Sequence, residues 1–252
     1  LTLQGTLPRA RFVDASSLLW QLRSEKTDTE VALIRHACDV ADSIFARCFG
    51  ELEIGMTTSD VERLFQLEAL RAGGKQSGAI VCIGAFEPSQ AAGSSRADKR
   101  LEPGMMCWVD FSLGWEGYRT DYCRAVVAGE PRERQLDTWN KVNEVLLAGE
   151  RATKPGRPIS EICMAELQCA SDHGLDMTTW MARRYGHSSG IHTTEPPSVS
   201  LEDATVLAPN MVVHLEPGVI GDDGIYVREE MIVITATGCE RLSNAPWELQ
   251  TV

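Results

Sequence analysis

Apolar positions recur along this chain at two different periods, and the period changes several times. Val31, Ile34, Cys38, Ala41 and Phe45 follow helical spacing. Thr27 with Glu30 forms a capping-box pattern that predicts the helix start near Thr27. Residues 1–26 show no clear period. A second helix is predicted after Ser59, with Glu62 in the capping-box position. It carries Val61, Leu64, Phe65 and Leu67 and stops at Gly73-Gly74. Short apolar runs at 79–84, 105–111 and 123–129 read as strands. A long helical stretch then covers 132–152, and a shorter one runs from Ser160 to His173, closed by Gly174. Strand-like runs return at 211–216 and 231–235.

This order repeats. Gly55 lies four residues before Ser59, and Gly156 four before Ser160; Asp60-Val61 and Glu161-Ile162 follow. Gly74 and Gly174 close the two shorter helices. The pattern predicts two similar α/β halves packed as one domain over 27–252, preceded by an N-terminal segment over 1–26.

Two hairpins give the repeat a chemical meaning. In 107–124, the sequence Gly114-Trp115-Glu116-Gly117 reads as a hairpin tip. A turn centred on Trp115-Glu116 places Asp110 directly opposite Asp121, with Cβ atoms about 5 Å apart. In 212–235, Gly221-Asp222-Asp223-Gly224 reads as a second tip, and centring there sets Glu216 opposite Glu229. Opposed like charges destabilise a sheet, and burying them costs more unless a proton or cation compensates. Divalent metal compensates both pairs: four carboxylates and a histidine can hold two ions about 3.5–4 Å apart. The oxygen-rich set favours Mn, Fe, Co or Zn. Two plain alternatives stay open here. Either pair can be exposed and solvated, or longer loops can shift the register, particularly at Glu216-Pro217.

Composition changes this picture little. With 43% hydrophobic and 24% charged residues, the 252-residue chain is ordinary for a globular protein. A net charge of −12 argues against a nucleic-acid partner. No apolar run is long enough for a membrane helix. The start has no signal-peptide pattern and no initiator Met, so a processed or partial chain is expected. The eight cysteines form no CxxC pair and read as reduced core residues of a cytoplasmic protein. Gly73-Gly74-Lys75 lacks the rest of a phosphate loop and reads as a helix end.

His187 follows Gly186 between the two hairpins, with Gly190 three residues on, which allows close backbone approach to a metal and substrate. With these residues the chain resembles the aminopeptidase P, prolidase, methionine aminopeptidase and creatinase family. The matching stretches are VDFSLGWEGYRTDYCR, YGHSSGIHTTEPPS, PNMVVHLEPG and EEMIVIT followed by TGCERL, within Thr27 to Leu242. The resemblance implies the pita-bread fold: two pseudo-symmetric α/β halves (an α+β arrangement) around a curved antiparallel sheet. It implies two divalent ions held by Asp110, Asp121, His187, Glu216 and Glu229, with Asp121 and Glu229 bridging. The spacing to the last strand selects Glu229 over Glu230. The expected reaction is hydrolysis of a C–N bond by a bridging hydroxide, with Glu216 passing a proton to the leaving nitrogen. The expected substrate is a small peptide of the Xaa-Pro type, and a homodimer is a family-level expectation.

The chain also departs from the peptidase pattern. The peptidase members carry a second His seven residues after the metal His, where this chain has Thr194. They carry another His in a stretch that aligns near Gly93, where none stands. Val227 occupies the place of an Arg, with Arg228 displaced by one. His214, two residues before Glu216, shares its face if the segment is a strand and is a candidate third catalytic group beside Glu216 and His187. His192 reads as a loop residue. The metal scaffold is therefore expected intact while the peptide-reading groups are altered. That leaves two alternatives: a hydrolase of small cyclic or amidine-type nitrogen compounds, creatinase-like or ectoine-hydrolase-like, or an inactive binding protein. Many relatives carry a further N-terminal domain, and only about 26 residues precede the first predicted helix here.

Overall fold

The structure, a computed structural model, describes residues 3–86, 98–180 and 183–252. The Gly93 position, where the peptidase pattern expects a histidine, lies outside the described residues.

Two short helices, α1 (Leu3–Thr6) and α2 (Ser16–Ser24), occupy the segment in which no period was legible. Their apolar side chains, such as Leu18 and Leu22, are exposed, so no burial stripe imposes one. Helix α3 (Asp28–Gly50) starts as its sequence dictates, with Thr27 and Glu30 capping each other. Helix α4 (Thr58–Arg71) starts two residues earlier than expected. Thr57 is the cap and Asp60 its reciprocal partner, so Ser59 and Glu62 fall inside the helix. Its end follows the sequence: Gly73, at φ +88°, and Gly74 return hydrogen bonds to Leu70 and Ala69.

Behind the second half lie α5 (Glu133–Ala152) and α6 (Ser160–Asp172). The repeat is visible in hydrogen bonds. Gly55 N–H donates to the Leu101 carbonyl and Gly156 N–H to the Leu207 carbonyl, each at 2.8 Å. Both glycines have positive φ, and matching isolated bridges join Thr57 to Arg100 and Pro158 to Val206.

Each half owns a five-stranded sheet. The first is ordered β1 (Lys75–Ile83), β2 (Met106–Trp115), β4 (Tyr122–Val127), β12 (Gln250–Thr251), with β3 (Tyr118–Arg119) on β2. The second is ordered β11 (Cys239–Arg241), β10 (Glu230–Ile234), β7 (Val212–Leu215), β5 (Gly186–Ser188), β6 (Glu195–Ser198). A separate hairpin, β8 (Gly218–Gly221) and β9 (Gly224–Val227), links β7 to β10. Among the described residues all strand pairings are antiparallel except β12 on β4.

Alternation along β2 sorts its side chains. Val109, Phe111 and Leu113 pack on α3 and α4 with Ile34, Phe45 and Phe65. Asp110 and Ser112 therefore face the other way, into a cleft between the halves. A second core joins Trp139, Val142 and Ile162 of α5 and α6 to Val213, Leu215 and Ile232. All eight cysteines are free, and six are buried. Among the described residues no helix is long and apolar enough to cross a membrane.

Candidate metal centre

The first hairpin turns one residue later than its sequence suggested. Trp115 pairs with Tyr118, and Glu116 and Gly117 form the tip with φ of +46° and +91°. That is a two-residue turn needing positive φ at both central positions, which glycine eases. In the resulting register Asp110 faces Cys123, not Asp121. Asp121 sits just ahead of β4, two residues from Cys123, and is thus a diagonal neighbour on the same face of the sheet. The direct opposition is corrected; the shared face remains.

The second hairpin keeps its expected register. Leu215 faces Glu230 on one side and Gly218 faces Val227 on the other, so Glu216 and Glu229 between them stand opposite each other. Gly186 brings the third element in. Its φ is +148°, and a Cβ there would lie 2.0 Å from the His214 carbonyl oxygen, so only glycine lets β5 approach β7 so closely. His187 then pairs with His214, and their rings stack with centroids 4.5 Å apart.

Asp121, His187, His214 and Glu229 are all buried, and one ligand atom from each falls within 4.8 Å of the others. His187 Nε2 lies 3.5 Å from Asp121 Oδ2 and 3.8 Å from Glu229 Oε1. Its Nδ1 lies 2.9 Å from the Ser188 carbonyl, which requires the proton on Nδ1 and leaves the Nε2 lone pair open. His214 is different. Its Nδ1 is 3.0 Å from Glu229 Oε1 and its Nε2 2.7 Å from Ser189 Oγ. With both nitrogens committed, His214 suits orientation of Glu229 rather than ligation.

Asp110 and Glu216 line a cleft of about 490 Å³ together with Asp121 and His187. Asp110 Oδ1 is buried and has no hydrogen-bond partner. Burial pushes Asp110 up to about 6, the adjoining Asp121 working against the shift. Burial, then the Asp110 charge, pushes Glu216 up to about 8, while Arg184 works against the rise. Burial raises Asp121 and Glu229 well above the usual carboxylate range, and the neighbouring acids add to it. Burial lowers His187 to about 4, so its ring is neutral.

The residues suit divalent cations: buried acids that repel one another, an orphaned carboxylate oxygen and a neutral imidazole with a free lone pair. A pH test follows. The folded-state values of Asp110 and Glu216 exceed ordinary unfolded values of about 4. Metal-free protein is therefore expected to lose stability as pH rises from about 5 through 6 to 8 and these acids ionise inside. Added Mn²⁺ should raise the melting temperature more at pH 8 than at pH 5, because the ion displaces protons. Thermal scans with EDTA and with Mn²⁺ check this; a metal-free melting temperature flat over that range contradicts the burial of these charges.

The adjoining residues divide clearly. Glu230 turns away from the cluster and accepts hydrogen bonds from Arg124 at 3.0 Å and Arg228 at 2.6 Å. Arg228 is fully buried there and does not reach the cleft, and Val227 is core. Thr194 lines the cleft. His192 is an exposed loop residue 3.2 Å from Arg23 Nη2. Sequence reasoning missed three groups. Ser189 holds His214, Arg184 enters the cleft, and Lys26 is buried near Glu195, where burial lowers it to about 8. The doubled Arg183-Arg184 just before Gly186-His187 was the one available signal for Arg184.

The profile of Metallopeptidase family M24 matches residues 32–236. An Xaa-Pro dipeptidase of Pyrococcus furiosus is 27% identical over 239 residues, covering 94% of this chain and 68% of that protein. A probable dipeptidase PepE of Mycobacterium tuberculosis is 28% identical over 251 residues, covering 98% of this chain and 65% of that protein. In three dimensions the prolidase of Pyrococcus horikoshii superposes with a TM-score of 0.89 at 25% identity, covering 98% of this chain and 71% of that one. The X-Pro aminopeptidase of Thermotoga maritima superposes with a TM-score of 0.88 at 22% identity, a likeness of fold.

Proposed function

The chain belongs to metallopeptidase family M24, and from that premise we propose that it cleaves the Xaa-Pro bond of small peptides using two divalent ions held by Asp110, Asp121, His187, Glu216 and Glu229. The observation that carries the reading is the buried acid set itself. Four carboxylates turn inward around a neutral His187, with Asp110 Oδ1 unpartnered. Such a set is unfavourable without cations.

Bound divalent ions supply Lewis acidity and an activated water near neutral pH. The chain's own groups do the remaining work. Glu216, which lines the cleft beside Asp110 and His187, is the carboxylate placed to take a proton from the activated water and pass it to the leaving nitrogen. His214 orients Glu229 and is itself fixed by Ser189. Residues 27–252 form the catalytic unit of this proposal. Its cytoplasmic setting is supported by eight free cysteines, and its homodimer by family resemblance alone.

A second reading is favoured by Thr194 and Val227, which leave the cleft without two peptide-reading groups of the peptidase members. It is a metal-dependent hydrolase of small cyclic or amidine-type nitrogen compounds. The test is turnover of Xaa-Pro dipeptides and tripeptides with added Mn²⁺ or Co²⁺, with Asp121→Ala as control. Turnover that the control lacks is expected. Protein that holds two ions per chain and cleaves no Xaa-Pro substrate moves the assignment to the second reading.

A further inference from the structure

The cleft continues beyond the carboxylates. Next to the metal pocket lies a hollow of about 740 Å³, and the two share Gln76, Arg119, Thr193 and Thr194 as wall. Lys75, Arg119 and His192 line the outer part, and among the described residues no carboxylate does. The chain carries 36 acids against 24 Lys and Arg, so this wall reverses the sign of its average surface.

Arg184 lies at the inner end. It stands two residues ahead of β5 and lines the same pocket as Asp121, His187 and Glu216. It is half-buried. Arg119 is already tied to Gln76, through its carbonyl and its side-chain oxygen. Arg184 has no hydrogen bond or ion pair among the described residues. Its charge reaches the centre, holding Asp121 and Glu216 below where burial alone would put them. Neither Val227 nor Arg228 brings charge here, because the first is core and the second is turned to Glu230.

Divalent ions on the acids would leave Arg184 as a cation of the cleft with no partner among the described residues. A guanidinium in that position is best satisfied by a planar anion, which it grips with two parallel hydrogen bonds.

We propose that Arg184 is a specificity-determining residue that holds the free carboxylate of a small substrate, such as the C-terminus of a dipeptide, with Arg119 as the second positive charge of the same wall. The proposal rests on the hydrolase reading above. It makes the cleft selective for compounds with an anionic end close to the scissile C–N bond. If Arg184 served only to offset the metal-ligand acids, its loss would weaken charged and uncharged substrates alike.

The test compares one Xaa-Pro dipeptide with its C-terminal amide, using Mn²⁺-loaded protein of measured metal content. In wild type the acid is preferred. In Arg184→Gln the ratio of kcat/KM for acid over amide falls by about tenfold to a hundredfold, the range for losing a hydrogen-bonded charge, and the loss lies mainly in KM. Arg184→Lys keeps the charge but not the fork and recovers part of the ratio. A ratio unchanged in Arg184→Gln overturns the proposal, as does an equal loss on both substrates. Should wild type cleave neither, the Xaa-Pro reading has failed, and the subsite is read by calorimetry with glutarate and its monoamide. Tighter glutarate binding that Arg184→Gln loses sustains the subsite; equal affinity in the two proteins overturns it.

Discussion

Glu230→Ala is expected to cost at least about 3 kcal/mol of folding free energy, the range seen when one partner of a buried ion pair is removed. Glu230 is 1% exposed and is gripped from two sides. Arg228 donates through Nε and Nη2 at 3.0 and 2.6 Å, and Arg124 through Nη2 at 3.0 Å, with Ser243 as a fourth donor. Both arginines are buried, so deleting the carboxylate strands two guanidinium groups at once. They also fix backbone on both sides of the network. Arg228 donates to the Pro246 and Trp247 carbonyls and lies 4.1 Å from the Trp247 ring centroid, and Arg124 donates to the Glu229 carbonyl. Glu230→Gln keeps the shape and should cost less. Urea unfolding of the metal-free protein measures both; a loss below about 1 kcal/mol for the alanine variant would show that the network is not structural.

Asp121→Ala should behave in the opposite way. Asp121 sits between Asp110 and His187, and burial, then the neighbouring acids, raise its pKa well above the usual carboxylate range, so its charge is costly inside the metal-free protein. Removing it takes a repelling charge out of the metal-free protein, so the fold at pH 8 should be as stable or more stable. Bound metal and activity should be lost together. Lewis-acid stabilisation worth several kcal/mol corresponds to a fall in kcat/KM of about 10³ or more. Metal content by elemental analysis, read beside turnover, decides the matter. Wild-type activity in this variant would remove Asp121 from the site. The adjoining pair Glu229 and Glu230 carries the same contrast within two residues: the first faces His214 and the cleft, the second faces Arg228 and the core.

Much of this was legible because strand periodicity forgives small errors. A turn centred on Trp115-Glu116 lies one residue early and sets Asp110 against Asp121 in place of its partner Cys123. A shift of two in the partner keeps both acids on one face, so the cluster is the same in either register. Trp-Glu-Gly-Tyr, with glycine at the second central position, was the better turn signal. The start of α4 failed for another reason. Thr57/Asp60 and Ser59/Glu62 both satisfy the capping pattern, and the Thr57 to Arg100 bridge, a contact distant in sequence, accompanies the first. Arg184, Ser189 and Lys26 were invisible because their meaning comes from elements that meet only in three dimensions. No spacing links Ser189 to His214, or Lys26 to Glu195. The helix pairs of the two halves, by contrast, carried their own caps and closing glycines and could be read locally.

The allotment of the acids between the two sheets has a mechanical consequence. Asp110 and Asp121 belong to the first half, and His187, Glu216 and Glu229 to the second. A cation shared among them, as proposed above, would span the seam and act as a reversible staple between the two halves. Chelated protein should therefore breathe along this seam before it melts. Amide exchange at Asp110–Ser112 and His187–Ser188 should accelerate together while the centres of α3 and α5 stay protected.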